Sequence, residues 1–85
     1  MSQRKKHNIR ISQDRNINLH LGNADHLERI AKIGKAISSP ARLEILNILK
    51  NTPRSLQEIA SILDMPLSST ALNIKTLEEA GLVVT

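Results

Sequence analysis

The sequence predicts a mainly α fold of four short helices, with short β segments before and after them. Three observations carry this expectation. Apolar residues recur at helical spacing from about Leu27 to Leu77. Signals at Ser39-Pro40, Asn51-Thr52-Pro53, Asp64-Met65-Pro66 and Gly81 divide that stretch into four. Alternation of apolar and polar residues is confined to the first 23 residues.

In order along the chain, Ile9 and Ile11 alternate with polar residues, and Ile17, Leu19 and Leu21 do the same in NINLHLG. Both stretches have strand periodicity, with Ser12 to Asn16 as a loop between them, although an unstructured tail would share the pattern. Gly22 and Asn23 punctuate. The first helix places Leu27, Ile30, Ala31, Gly34 and Ile37 on one face, while Glu28 and Lys32 pair at i,i+4 on the other. Asp25 in its first turn suits the helix dipole. A glycine inside a helix costs about 1 kcal/mol against alanine, so close approach of another helix is expected at Gly34.

Ser39 is the expected cap of the second helix, with Pro40 at its first position. Ala41, Leu43, Ile45, Leu46, Ile48 and Leu49 go nearly all the way round it, which predicts a buried core element. The third helix opens with Ser55 and Glu58 at capping-box spacing, and Leu56, Ile59, Ala60 and Leu63 form its stripe. Asp64 stands at a sharp turn, where aspartate tolerates left-handed geometry, and Pro66 prevents simple continuation. The fourth helix is expected from about Leu67 to Ala80, with Leu67, Ala71, Ile74 and Leu77 facing inward. Gly81 is its C-terminal cap, with Leu82 set to touch Leu77. Leu82-Val83-Val84-Thr85 then begins a strand whose available partners are the Ile17 to Leu21 segment, a second chain or solvent.

Composition bounds the function. Eighty-five residues make one small domain. There is no cysteine, so disulfides and thiolate metal sites are excluded, in keeping with a reducing, cytoplasmic setting. No apolar run approaches the roughly 20 residues of a membrane span, and the N-terminus lacks the apolar core of a secretory signal. The absence of aromatics removes the stacking platforms of sequence-tolerant single-strand binders. Net charge is +4, and residues 1–16 carry all of it: five bases against Asp14, with seven bases and seven acids in the remainder. The chain therefore divides into a basic N-terminal arm, 1–23, and a helical domain, 24–85. A basic arm suits phosphate binding.

Two short helices joined by a tight turn, with strand after them, follow the winged helix-turn-helix plan. From about Asp25 to Val83 the sequence resembles the ArsR-type transcriptional repressors, on SSPARLEILNIL, LQEIASILDMPLSSTALNIKTLEEAGLV and especially LEEAGLV. The ending EEAGLV also occurs in MarR-type proteins, so the ordered set carries the resemblance. It implies a homodimer that binds double-stranded DNA sequence-specifically as a transcriptional regulator, with the helix of about 67–80 in the major groove. Three departures stand out. Metal-sensing members carry cysteines at the start of the third helix, where this chain has SLQEIA. Leu72-Asn73 occupy a place that commonly holds His, Tyr or Arg. The family's wing and C-terminal helix are missing beyond Thr85, so the resemblance implies a fold with an incomplete C-terminal wing.

On the fourth helix, Ser69, Leu72 and Thr76 centre the outward face, flanked by Ser68, Lys75 and Glu79 on one side and Asn73 on the other. Asn can bond adenine N6 and N7 together, hydroxyls can bond either partner, and Leu can touch a thymine methyl. The competing reading is an ordinary polar face with one exposed leucine. Ser55 to Val83 carries only Lys75 against Glu58, Asp64, Glu78 and Glu79, so phosphate neutralisation must come from elsewhere. Arg54, Lys75, and Arg4, Lys5 and Lys6 of the arm are the candidates, the arm competing with a solvated tail. Ile30, Ile33, Gly34 and Ile37 are the candidate dimer interface. Arg42 and Glu44 are expected to be structural partners. His20 and His26 match no zinc box. No nucleophile, acid–base set or paired carboxylate suggests an enzyme, and no cofactor is expected. The alternative is a winged-helix module for protein–protein contact without DNA binding.

Overall fold

The computed structural model of the protein describes residues 8–13 and 24–85. Within them the order is β1 (Arg10–Ile11), α1 (Ala24–Ile37), α2 (Pro40–Leu49), α3 (Leu56–Leu63), α4 (Leu67–Glu79) and β2 (Val83–Val84). The mainly α plan holds, and the helix ends fall where the punctuation put them. Arg4, Lys5, Lys6 and the Ile17 to Leu21 segment lie outside the described residues.

The caps follow local chemistry. Ser39 accepts from the Arg42 amide at the start of α2. Ser55 and Glu58 close a reciprocal capping box on α3: the serine hydroxyl accepts from the Glu58 amide at 3.2 Å, and the carboxylate accepts from the Ser55 amide at 2.8 Å. At the end of α4, Gly81 takes φ 77°, its amide donates to the Glu78 carbonyl, and the Leu82 amide donates to the Leu77 carbonyl. This is the glycine-ended motif in which two orphan carbonyls are satisfied at once.

The core gathers Ala36, Ile45, Leu49, Ile59, Ile74, Leu77, Ala80 and Val83 around the four helices, and Ile9 joins them at 3% exposure. Ile9 enters because its segment is a strand. β1 and β2 pair antiparallel, with Arg10 opposite Val84 and Ile11 opposite Val83. On the other side, Ile9 exchanges both backbone bonds with Arg54 at 2.7 and 3.0 Å. The terminal strand thus pairs with Arg10–Ile11, a partner that the sequence reading did not name. Alternation explains the choice: Ile9 points into the core while Arg10 stays exposed.

Three inward faces differ from expectation. On α1, Ala36 is fully buried and Ile33 packs against the core, whereas Leu27, Ala31, Gly34 and Ile37 are exposed. One small domain covers only one side of this helix, and the Ile33–Ala36 edge is the side against α2 and α4. A Cβ at Gly34 would meet nothing within 4 Å, so none of the described helices makes the expected close approach. α2 is not apolar-buried all round: Leu43, across the helix from Ile45 and Leu49, is exposed. On α4, Thr70 takes the inner face in place of Leu67 and Ala71, which are exposed. Its hydroxyl donates to the Pro66 carbonyl at 2.9 Å, which satisfies the one polar group that would otherwise be costly there.

Candidate nucleic-acid interface

α3 and α4 meet at a turn of three residues. Asp64 adopts φ 54°, ψ 50°, and the Met65 amide donates back to the Ala60 carbonyl at 2.9 Å. Pro66 follows in extended geometry and no side chain caps α4. Ser68 and Ser69, both exposed, therefore occupy a first turn whose amides are available to an anion.

The outward face of α4 presents Ser68, Ser69, Leu72 and Lys75 together. Leu72 is the most exposed large apolar residue among those described, at 67%. Thr76 is half-buried and its hydroxyl donates to the Leu72 carbonyl at 3.2 Å, leaving its oxygen able to accept.

Asn73, expected as an adenine reader, is bonded within the fold. Its Nδ2 donates to the Ser69 carbonyl at 3.0 Å, and its Oδ1 accepts from Arg42 Nη1 at 3.0 Å. The orientation of the amide follows from its partners, since a guanidinium only donates and a carbonyl only accepts. One N–H and one oxygen lone pair of the amide are thereby committed, which fixes its orientation.

Arg42 is the structural residue that the sequence pointed to, with a different partner. Instead of pairing with Glu44, its Nε donates to the Ala36 carbonyl at 2.7 Å and its Nη2 to the Lys35 carbonyl at 3.2 Å. One guanidinium thus satisfies two carbonyls at the end of α1, where positive charge is favoured, and fastens that end to α4 through Asn73. Only the third dimension brings Arg42 to Asn73, 31 residues away.

Arg54 is half-buried, with its backbone in the bridge to Ile9 and its Nε enclosed without a hydrogen-bond partner. Of the candidate interface residues on α1, Gly34 and Ile37 are exposed, Ile30 is half-buried, and Ile33 is turned inward against the core. Two adjoining clefts of about 340 and 510 Å³ separate α1 from the end of α4. Their walls mix Arg29, Lys32 and Lys35 with Glu28, Glu78 and Glu79, so neither concentrates one sign of charge. Among the described residues, no group of three or more His, Cys, Asp or Glu side chains could hold a metal. No helix among them is long and apolar enough to cross a membrane.

Comparison with known proteins gives a match to a helix-turn-helix domain over residues 37–85, more than half of the chain. The chain is 35% identical over 57 residues to an HTH-type transcriptional regulator of Mycobacterium tuberculosis, covering 67% of this chain. It is also 35% identical over 54 residues to an uncharacterized HTH-type transcriptional regulator of Methanocaldococcus jannaschii, covering 64% of this chain. The matched stretch spans 25% of the first relative and 57% of the second. No solved structure matches.

Proposed function

Since the chain belongs to the helix-turn-helix domain family, in its ArsR-like form, we propose that it is a DNA-binding unit of a transcriptional regulator, not an enzyme. It binds duplex DNA sequence-specifically in the cytoplasm, with α4 in the major groove, and represses by occupying its operator. The observation that carries this reading is the outward face of α4. Ser68, Ser69, Leu72 and Thr76 supply hydroxyls and a methyl surface of the kind that contact base edges, on a helix held rigidly by the α3 turn. Lys75, Arg54 and the arm residues Arg4, Lys5 and Lys6 contribute phosphate contacts. Asn73 positions α4 through Arg42 instead of reading a base. The exposed face of α1, with Ile30, Gly34 and Ile37, joins two copies so that two α4 helices meet successive grooves.

Selection of duplexes from a random pool tests this. A shared motif should emerge, and Ser69→Ala or Leu72→Ala should relax it at one position of each half-site by about 1–3 kcal/mol, with Lys75→Ala weakening all sequences alike. The second reading, a protein–protein module, is favoured by one observation: the prominent Leu72 on a unit with four acids and one lysine. A pool that enriches no motif would leave that reading standing.

A further inference from the structure

A third cleft, of about 240 Å³, lies where β1 crosses the loop after α2. Unlike the other two, it has no carboxylate among the described residues of its lining. Arg10 and Lys50 provide two positive charges, and Gln13, Asn51 and Thr52 add neutral donors. Arg10 faces it for a backbone reason: Ile9 is committed to the core, and strand alternation turns the next residue outward. The strand cannot drift, because Ile9 is bonded to Arg54 on one side while Ser12 donates to the Leu82 carbonyl on the other. Both cations are exposed, so neither is spent inside the fold.

We propose that this cleft binds a backbone phosphate of the duplex whose groove α4 enters, with Arg10 and Lys50 as charged donors. The proposal rests on the DNA-binding reading above and deepens it. Two like charges on one cleft repel each other, and an anion between them reverses the sign of that interaction. The location also fits. β1 is bonded to the residue immediately before the α3 cap, so the cleft flanks the helix-turn-helix unit whose own segment, Ser55 to Val83, carries one lysine against four acids. Phosphate contacts set register without reading sequence, which is the contribution that an acidic reading unit lacks.

The test is a salt series on one selected duplex with wild-type protein, Arg10→Gln, Lys50→Gln, the double variant, and Lys35→Gln as a control at an exposed lysine of α1 outside this cleft. Each cleft variant should flatten the slope of log K against log salt by about 0.9, and the double variant by about twice that, with base preference unchanged. Lys35→Gln should leave the slope alone. An unchanged slope in a folded double variant, beside a wild type that binds, overturns the cleft and spares the DNA reading. Equal flattening by Lys35→Gln overturns it too, since diffuse charge would then explain the effect. A wild type that binds no duplex removes both.

Discussion

The α3–α4 pair and α1 are both built from aliphatic side chains, yet they end differently. In α3–α4 the joints other than the uncapped start of α4 are closed inside the chain: a capping box at Ser55, a left-handed turn at Asp64, a hydroxyl bonded inward at Thr70 and a glycine cap at Gly81. Ile59 and Leu77 are fully buried between them. In α1 the longer apolar stripe remains on the surface, and Gly34 has open space over it. The first region closes its own turns and core, with Ile62, Leu67 and Leu72 left on its surface. The second carries apolar surface that nothing among the described residues covers, which motivates the proposed second copy.

The largest expected effect is a contrast in stability between the two. Leu77→Ala should cost about 2–5 kcal/mol, because a fully enclosed side chain leaves a cavity. Leu27→Ala, at 49% exposure, should stay within about 0.5 kcal/mol in dilute, monomeric protein. Denaturant unfolding of both variants decides it. A large loss for Leu27→Ala would mean that the α1 stripe is covered and the contrast is false.

Next comes the strand that closes the sheet. Ile9→Ala should cost about 2 kcal/mol, the low end for a buried aliphatic truncation. Hydrogen exchange should then speed up at Ser12 and Arg54, whose amides donate across the ladder. Retained protection at both would show that β1 holds without its core anchor.

The helices were legible because caps and stripes act over three or four residues, and the sequence displays both ends of each such bond. Ser39, Ser55, Glu58, Asp64 and Gly81 all stand where local chemistry puts them. Choosing between two candidate faces of one helix was not legible. On α1 and α4 the decision depends on which neighbour arrives, and apolar residues alone do not distinguish Leu67 or Ala71 from a threonine able to bond its own backbone. The pairing of the last strand with Arg10–Ile11 was not legible for a similar reason: it depends on where Arg54 holds Ile9 in space. Of the site, the outward hydroxyls and Leu72 could be read by angular position, but the engagement of Asn73 by Arg42 is a tertiary fact.

That engagement gives the third prediction. Asn73→Ala should leave Arg42 with one fewer acceptor and cost about 1–3 kcal/mol of stability. If Asn73 positions α4, its loss should weaken binding to all duplexes alike and leave the preferred motif intact. A change in the motif at one base position would restore the adenine-reading role that the hydrogen bonds argue against.

The smallest effect is the sharpest probe of the exposed helix face. Gly34→Ala should stabilise the dilute protein by up to about 1 kcal/mol, because alanine removes glycine's helix penalty and its methyl meets nothing within 4 Å. If a second copy packs closely over Gly34, the same methyl should become a burden as concentration rises, and Gly34→Leu should drive sedimentation toward monomer. The sign of the alanine effect would then reverse between dilute and concentrated samples. A gain that persists at every concentration, beside a wild type that stays monomeric, would mean that the α1 face remains solvated and the two-fold arrangement must be abandoned.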